Sequence, residues 1–170
     1  MKKKKSVQSS KKGLYFVIIA GVVIIGLVIG VSYYLEQAKI SGQRFGTNLE
    51  QIQSDLNKQI SDYESNLTIW QEGGFTKQKI LEISENHIIE LEKILKRYDN
   101  LTPPQAFTSS VELFKRSTQT QIESDKLLKE WIGTGDNATK IRSDQILQQS
   151  FEYETSALAS FNSAKKGYIP

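Results

Sequence analysis

The chain has a single histidine, His87, and an imidazole can act as a base, a metal ligand or a pH-sensitive switch. It falls on an apolar seam of helical spacing. Asp125 holds a comparable seam position further along, one heptad after Thr118, and Glu154 lies between Phe151 and Leu158. A carboxyl group buried on such a seam must be paired or held protonated. His87, Asp125 and Glu154 are therefore the candidates for a polar pocket between helices, with Lys115, Arg116, Lys126 and Lys129 as candidate partners. The plainer reading puts all three at the rim of the seam, reaching water.

Catalytic and metal chemistry fit the residue types poorly. A carboxylate-bridged metal pair in a helical bundle uses a Glu-x-x-His on each of two helices. Three residues before His87 stands Ser84, and no second histidine exists. No Gly-x-Ser-x-Gly elbow occurs, and a serine triad would have to use His87 from within a regular helix. The segment "GTGDN", 133–137, lacks the spacing and the lysine of a phosphate-cradling loop. The absence of cysteine removes disulfides, thiolate metal sites, a thiol nucleophile and a lipoprotein-anchoring cysteine. The expectation is a protein that is not an enzyme and carries no cofactor.

Charge is segregated along the chain. Six of the 22 Lys or Arg precede residue 14 and none of the 19 Asp or Glu does, which leaves 16 basic against 19 acidic residues from Glu36 onward. The basic character belongs to the tail at residues 1–13. It suits a topology signal at an anionic membrane face rather than nucleic acid. Three Asn-x-Thr sequons, at Asn66, Asn100 and Asn137, are candidate glycosylation sites if that part of the chain lies outside a glycosylating cell.

Residues 14–35 contain no charge over 22 positions. At about 1.5 Å per residue they would span about 33 Å, slightly more than a hydrocarbon core. Tyr15 and Phe16 at one end and Tyr33 and Tyr34 at the other fit an aromatic belt. The run exceeds the apolar core of a cleaved signal peptide, and no clean small-x-small cleavage pair follows it. It reads as a signal anchor: a single-pass transmembrane helix with a cytoplasmic N-terminus and residues 36–170 outside the cell membrane. Gly26 and Gly30, four residues apart, offer a smooth stripe on which a second copy could pack as a homodimer.

"KKGL", with Lys12-Gly13 directly before the apolar run, resembles the processing site of type IV prepilins and archaeal pilin-like proteins. That resemblance covers about the first 35 residues. It implies cleavage after Gly13 and packing of the apolar helix in a fibre core. The family's usual glutamate at the fifth mature position is here Ile18. Its globular heads are mostly β-rich, whereas this chain continues in helical periodicity.

The elements that must position the candidate residues are helices. Phe45, Leu49, Ile52, Leu56, Ile60, Tyr63, Leu67 and Trp70 recur at spacings of three and four. Gly73-Gly74 should end that helix, and Thr76 should cap the next, with Phe75 stapled to Ile80. Ile80, Ile83, His87, Leu91, Ile94 and Tyr98 form the second seam, widened by Leu81, Ile88 and Leu95. The third opens at Pro103-Pro104 with Thr102 as its cap and runs through Phe107, Val111, Phe114, Thr118, Ile122, Asp125, Leu128 and Ile132. The fourth, from about Ala138, turns Ile141, Ile146, Leu147, Phe151, Tyr153, Ala157, Leu158, Phe161 and Ala164 inward. Trp70 and Trp131 end two of the helices and could join Phe75 and Tyr98 in an exposed aromatic patch or cap the core.

Short connections force neighbouring helices to run antiparallel. The expected fold is all-α, with an antiparallel four-helix bundle after the anchor; the alternative is an extended helical hairpin or coiled coil. Such a bundle resembles, in architecture, the ligand-sensing outer domains of chemoreceptors, but the cytoplasmic tail is too short for a signalling domain. The expected partners are the lipid bilayer, another membrane or cell-surface protein and a second copy of the chain. The expected function is partner or ligand binding by a displayed, non-catalytic bundle; the alternative is a pilin-like or surface-fibre subunit.

Overall fold

The structure, a computed structural model, describes residues 39–167. Within them the chain is all-helical: α1 (Lys39–Gln71), α2 (Lys77–Arg97), α3 (Thr108–Thr134) and α4 (Asn137–Gly167), with 3-10 turns at Tyr98–Asn100 and Gln105–Phe107 between α2 and α3. No described helix is long and apolar enough to cross a membrane. The run at 14–35, with Gly26 and Gly30, lies outside the described residues.

Local signals account for most of the helix ends. The α1 helix closes on Gly73, whose φ of 85° is left-handed, and Gly74 N–H then donates to the Ile69 carbonyl at 2.8 Å. A β-carbon on Gly74 would stand 2.6 Å from Ile69 Cγ2, so the second glycine is needed as well. Thr76 caps α2 by accepting from Lys79 N–H at 3.2 Å. Helix α4 is capped by Asp136, whose carboxylate accepts from Ala138 N–H at 3.1 Å and Thr139 N–H at 3.2 Å. Those bonds, led by the one from the Thr139 hydroxyl, hold the Asp136 carboxyl below the usual carboxylate range.

Thr102 does not cap α3. The helix begins at Thr108, six residues later, and the residue at its cap, Phe107, makes no side-chain capping bond. The prolines instead precede a 3-10 turn, Gln105–Phe107, which carries Phe107 into the core. A proline biases the residue before it away from helical geometry, so Pro103-Pro104 delays the helix here.

Successive helices are antiparallel. Tyr63 meets Ser84 and Gln53 meets Tyr98 across α1 and α2. His87 meets Asp125, and Tyr98 meets Thr118, toward α3. Ser117 meets Ser150, and Ser124 meets Ser143, across α3 and α4. All four helices feed one apolar core that includes Leu49, Ile52, Leu91, Val111, Phe114 and Phe161. At one end the rings of Phe45, Phe107 and Phe161 pack at a tilt in sequence, with centroids 5.8 Å and 4.9 Å apart. This is consistent with a compact bundle, and the shared core distinguishes it from an extended hairpin.

Helix α4 departs from the seam expected of it. Ile141 is 59 % exposed, and Ile146, Leu147, Phe151 and Tyr153 are only half-buried. The buried positions of α4 are Ser143, Ser150, Ala157 and Phe161. Small residues face α3 because the two helices approach closely: Ser117 Oγ donates to the Ser150 carbonyl at 3.0 Å and Ser150 Oγ donates back to the Ser117 carbonyl at 2.9 Å. One heptad away, Ser124 and Ser143 repeat the exchange at 2.9 Å each way. Continuing the register by another heptad sets Ser110 opposite Ala157, both 0 % exposed.

Candidate functional site

Three helices meet at one buried polar layer. On α2, His87 is 5 % exposed, and on α3, Asp125 is 4 % exposed. His87 Nε2 lies 3.1 Å from Asp125 Oδ2. Gln121, one turn before Asp125, donates from Nε2 to both carboxylate oxygens at 3.0 and 3.1 Å. From α1, the Tyr63 ring lies flat on the imidazole, with centroids 4.1 Å apart and 16° between planes. The Ser84 hydroxyl donates to the Ile80 carbonyl at 2.8 Å, so its oxygen accepts from Tyr63 O–H at 2.9 Å.

The hydrogen bonds select a tautomer. A carboxylate only accepts, so His87 carries its proton on Nε2 and donates to Asp125. Nδ1 is buried and has no partner among the described residues. A bare lone pair there costs less than an unsatisfied N–H would. Burial pushes the Tyr63 hydroxyl up to about 12 despite its bond with Ser84, and Asp125 adds to the rise. Beside Tyr63, the half-buried Glu64 carboxyl is pushed up to about 7, first by burial and then by the charge of Asp125.

Glu154 does not join this layer. It lies near Tyr98, whose buried hydroxyl accepts from Gln53 Nε2 at 2.8 Å and sits 3.3 Å from Thr118 Oγ1. Thr118 donates its own proton to the Phe114 carbonyl at 3.1 Å, so Tyr98 donates to Thr118. Burial raises the Tyr98 hydroxyl above its ordinary value, and these two bonds oppose the rise. Thr118 and Asp125 are one heptad apart on α3, which separates the two layers by about 10 Å. Glu154 Oε1 is buried without a partner among the described residues, and burial lifts the carboxyl to about 7.

The expected cationic partners are engaged elsewhere. Lys126 pairs with Glu92, Lys129 with Glu85 and Lys115 with Asp99, all on the outer face between α2 and α3 or at its end. Arg116 lies 5.0 Å from the centroid of the Tyr153 ring. What hydrogen-bonds Asp125 is His87 and Gln121, the latter a neutral donor that no charge pattern in the sequence announces. The i, i+4 spacing of Gln121 and Asp125 was the available signal.

The aromatic patch is smaller than four residues. Trp70 and Trp131 pack edge to face, with centroids 5.9 Å apart, and Lys140 Nζ lies 5.6 Å from the Trp131 ring centroid. Tyr98 is buried at the level of Gln53, well away from them. Of the sequons, Asn66 lies inside α1 with its amide donating to the Asp62 carbonyl at 2.7 Å. Asn100 is exposed at the end of a 3-10 turn and Asn137 is exposed at the start of α4.

The His87–Asp125 pair is a poor catalytic dyad. Among the described residues, the ring nitrogen left after Asp125 takes Nε2 has no hydrogen-bond partner, so none of them is in place as a nucleophile for it to activate. Among the described residues no group of three His, Asp or Glu is placed to hold a metal ion. Compared with known proteins, the chain matches no family model, no curated sequence and no solved structure.

Proposed function

We propose that this chain is a single-pass membrane protein that displays a non-catalytic helical bundle outside the cell, where the bundle binds a partner membrane or cell-surface protein. The observation that carries the reading is the uncharged stretch at residues 14–35, set between a tail with six lysines and the first helix of the bundle. The fold supports it, because four helices that close on a shared core leave a stable exterior available for recognition. Gly26 and Gly30 supply a surface on which two anchors could pair. The exposed Asn100 and Asn137 are placed where glycans could attach.

The test is the N-terminus and intact mass of the protein taken from native membranes, combined with extraction at alkaline pH. A chain that begins at Met1 or Lys2 and resists extraction supports the anchored bundle. A start at Leu14 favours the second reading, a pilin-like or surface-fibre subunit, which rests on Lys12-Gly13 before the apolar run. A start beyond about Ser32 overturns both.

A further inference from the structure

The three sequons share a pattern of residues but not a shape. To attach a sugar, an enzyme must grip the asparagine amide and the threonine hydroxyl two positions on at the same time. Successive residues of an α-helix turn by about 100°, so positions two apart point to nearly opposite sides. In an extended segment, positions two apart point to the same side. A sequon held in a helix therefore offers its two groups to different neighbours, whereas an extended one offers them to a single partner.

The fold holds two of the three closed. Asn66 and Thr68 lie within α1, and each is tied back to its own helix. The Asn66 amide donates to the Asp62 carbonyl at 2.7 Å, and the Thr68 hydroxyl donates to the Glu64 carbonyl at 3.0 Å. Exposure alone admits Asn137 as well as Asn100; conformation separates them. Asn137 and Thr139 lie in the first turn of α4. There the Thr139 hydroxyl donates to Asp136 Oδ2 at 2.8 Å, within the cap that starts the helix. Asn100 instead ends the 3-10 turn Tyr98–Asn100, and Leu101 after it is extended, with φ of −75° and ψ of 137°. Pro103 biases Thr102 toward the extended region as well. Both Asn100 and Thr102 are exposed.

We propose that Asn100 is the acceptor of an N-linked oligosaccharide on the folded bundle, and that the fold withholds Asn66 and Asn137. This rests on the reading that the bundle lies outside a glycosylating cell. The donor is an oligosaccharide carried on a polyprenyl pyrophosphate. In the transfer the sugar C1–O bond breaks, with its electron pair going to the pyrophosphate. The bond from Asn100 Nδ2 to C1 forms, and one amide proton passes to a base of the transferase. Asn100 follows Tyr98, which meets Gln53 in the first half of α1. The glycan therefore stands toward the end of the bundle at which α1 begins, away from Trp70 and Trp131.

The experiment incubates the full-length chain in mild detergent with a purified oligosaccharyltransferase and a polyprenyl-pyrophosphate oligosaccharide. Intact mass and peptide mapping give the rate at each asparagine, and synthetic peptides spanning the same three sequons give the rates without the fold. The ratio of the two cancels the effect of flanking residues such as Pro103. Folding should slow Asn66 by about a hundredfold or more, and Asn137, at a helix end, by about tenfold, because each needs local opening first. Asn100 should keep its peptide rate within about threefold, since no helix has to open. Thr102→Val, which removes the exposed hydroxyl, should abolish modification of Asn100. Equal slowing of all three sequons, or transfer to Asn66 or Asn137 on the folded chain at the peptide rate, would overturn the proposal. Undiminished modification of Thr102→Val would do the same. If the folded chain behaves as expected while protein from native membranes carries no sugar, Asn100 stands as the acceptor and the reading that places the bundle outside a glycosylating cell fails.

Discussion

The contact between α3 and α4 and the contact that holds α1 solve the same problem in opposite ways. The first uses small residues. Serines recur every seventh position on both helices, and each hydroxyl bonds the carbonyl of the serine it faces. The polar groups satisfy one another locally, so the helices approach closely without a titratable group. The second uses large and ionisable residues: Tyr63 stacked on His87, His87 bonded to Asp125, Glu64 beside them. It relies on a stacked ring pair and a side-chain pair rather than on reciprocal bonds to the backbone. The difference teaches that burial of polar groups is not one phenomenon. A hydroxyl that donates to a backbone carbonyl makes a fixed joint, whereas a carboxyl held away from water makes an adjustable one.

The sharpest way to break the comparison is to overfill the serine joint. Ser150→Leu inserts a branched side chain where only an Oγ fits, removes the bond that Ser150 Oγ donates to the Ser117 carbonyl and forces apart the one that Ser117 Oγ donates back. It should cost about 3 kcal/mol or more, read by urea unfolding of the full chain in detergent. Ser150→Ala, which keeps the space and removes only the donor, should cost about 1 kcal/mol. Equal losses in the two variants would show that close approach is not what the serines provide.

Next comes the ionisable layer. His87→Leu removes the ring beneath Tyr63 and leaves the buried Asp125 with Gln121 alone, at a cost of about 2–3 kcal/mol. Combining it with Asp125→Leu should recover part of that loss, because the second change removes the stranded charge. Strict additivity in this cycle would mean that the 3.1 Å pair contributes no coupling.

A smaller effect distinguishes the layers by pH. Glu154 and Glu64 both have folded values raised to about 7, against an ordinary value of 4.5. The folded chain therefore holds more protons than the unfolded chain between those values. The stability they contribute is fully present below the ordinary value and is lost as pH rises through about 7. Stability should fall between about pH 5 and about pH 8, and Glu154→Gln should flatten part of the fall. Carboxyls shifted downward act in the other direction at lower pH. Asp55, hydrogen-bonded to Arg97, contributes stability that is lost only as pH drops below its ordinary 3.8. A profile that rises steadily from pH 5 to 8 would contradict the burial of Glu154 and Glu64.

The least effect belongs to Ile141, which periodicity alone would place inside. At 59 % exposure, Ile141→Ser should change unfolding free energy by no more than about 0.5 kcal/mol. A loss of about 2 kcal/mol or more would imply that a partner or second copy covers this face.

Much of the fold is legible in the residues of α1 and α2. Phe45, Leu49, Ile52, Leu56 and Tyr63 are buried in the order their spacing demands, as are Ile80, His87, Leu91, Ile94 and Tyr98. Large side chains at spacings of three and four leave a wide stripe no other structure would bury. Helix α4 is not legible in the same way. Its buried face is marked by Ser143, Ser150 and Ala157, residues that are usually indifferent to burial, whereas Ile141, which its apolar spacing singles out, is exposed. The heptad spacing shared with Ser110, Ser117 and Ser124 was in the sequence, but only the antiparallel register gives it meaning.

The sequence by itself determined the helices, because hydrophobic period, glycine stops at Gly73 and the threonine cap at Thr76 act over a few residues. It also determined the segregation of charge and the uncharged run at residues 14–35. Only the tertiary structure decided which polar residues meet. His87 and Asp125 are separated by 38 positions, and their contact depends on how α2 and α3 align along their whole length. The same alignment leaves Glu154 in a different layer, near Tyr98. Ionisable groups respond to charge and water within a few ångströms, and those neighbours are set by packing between helices rather than by order along the chain.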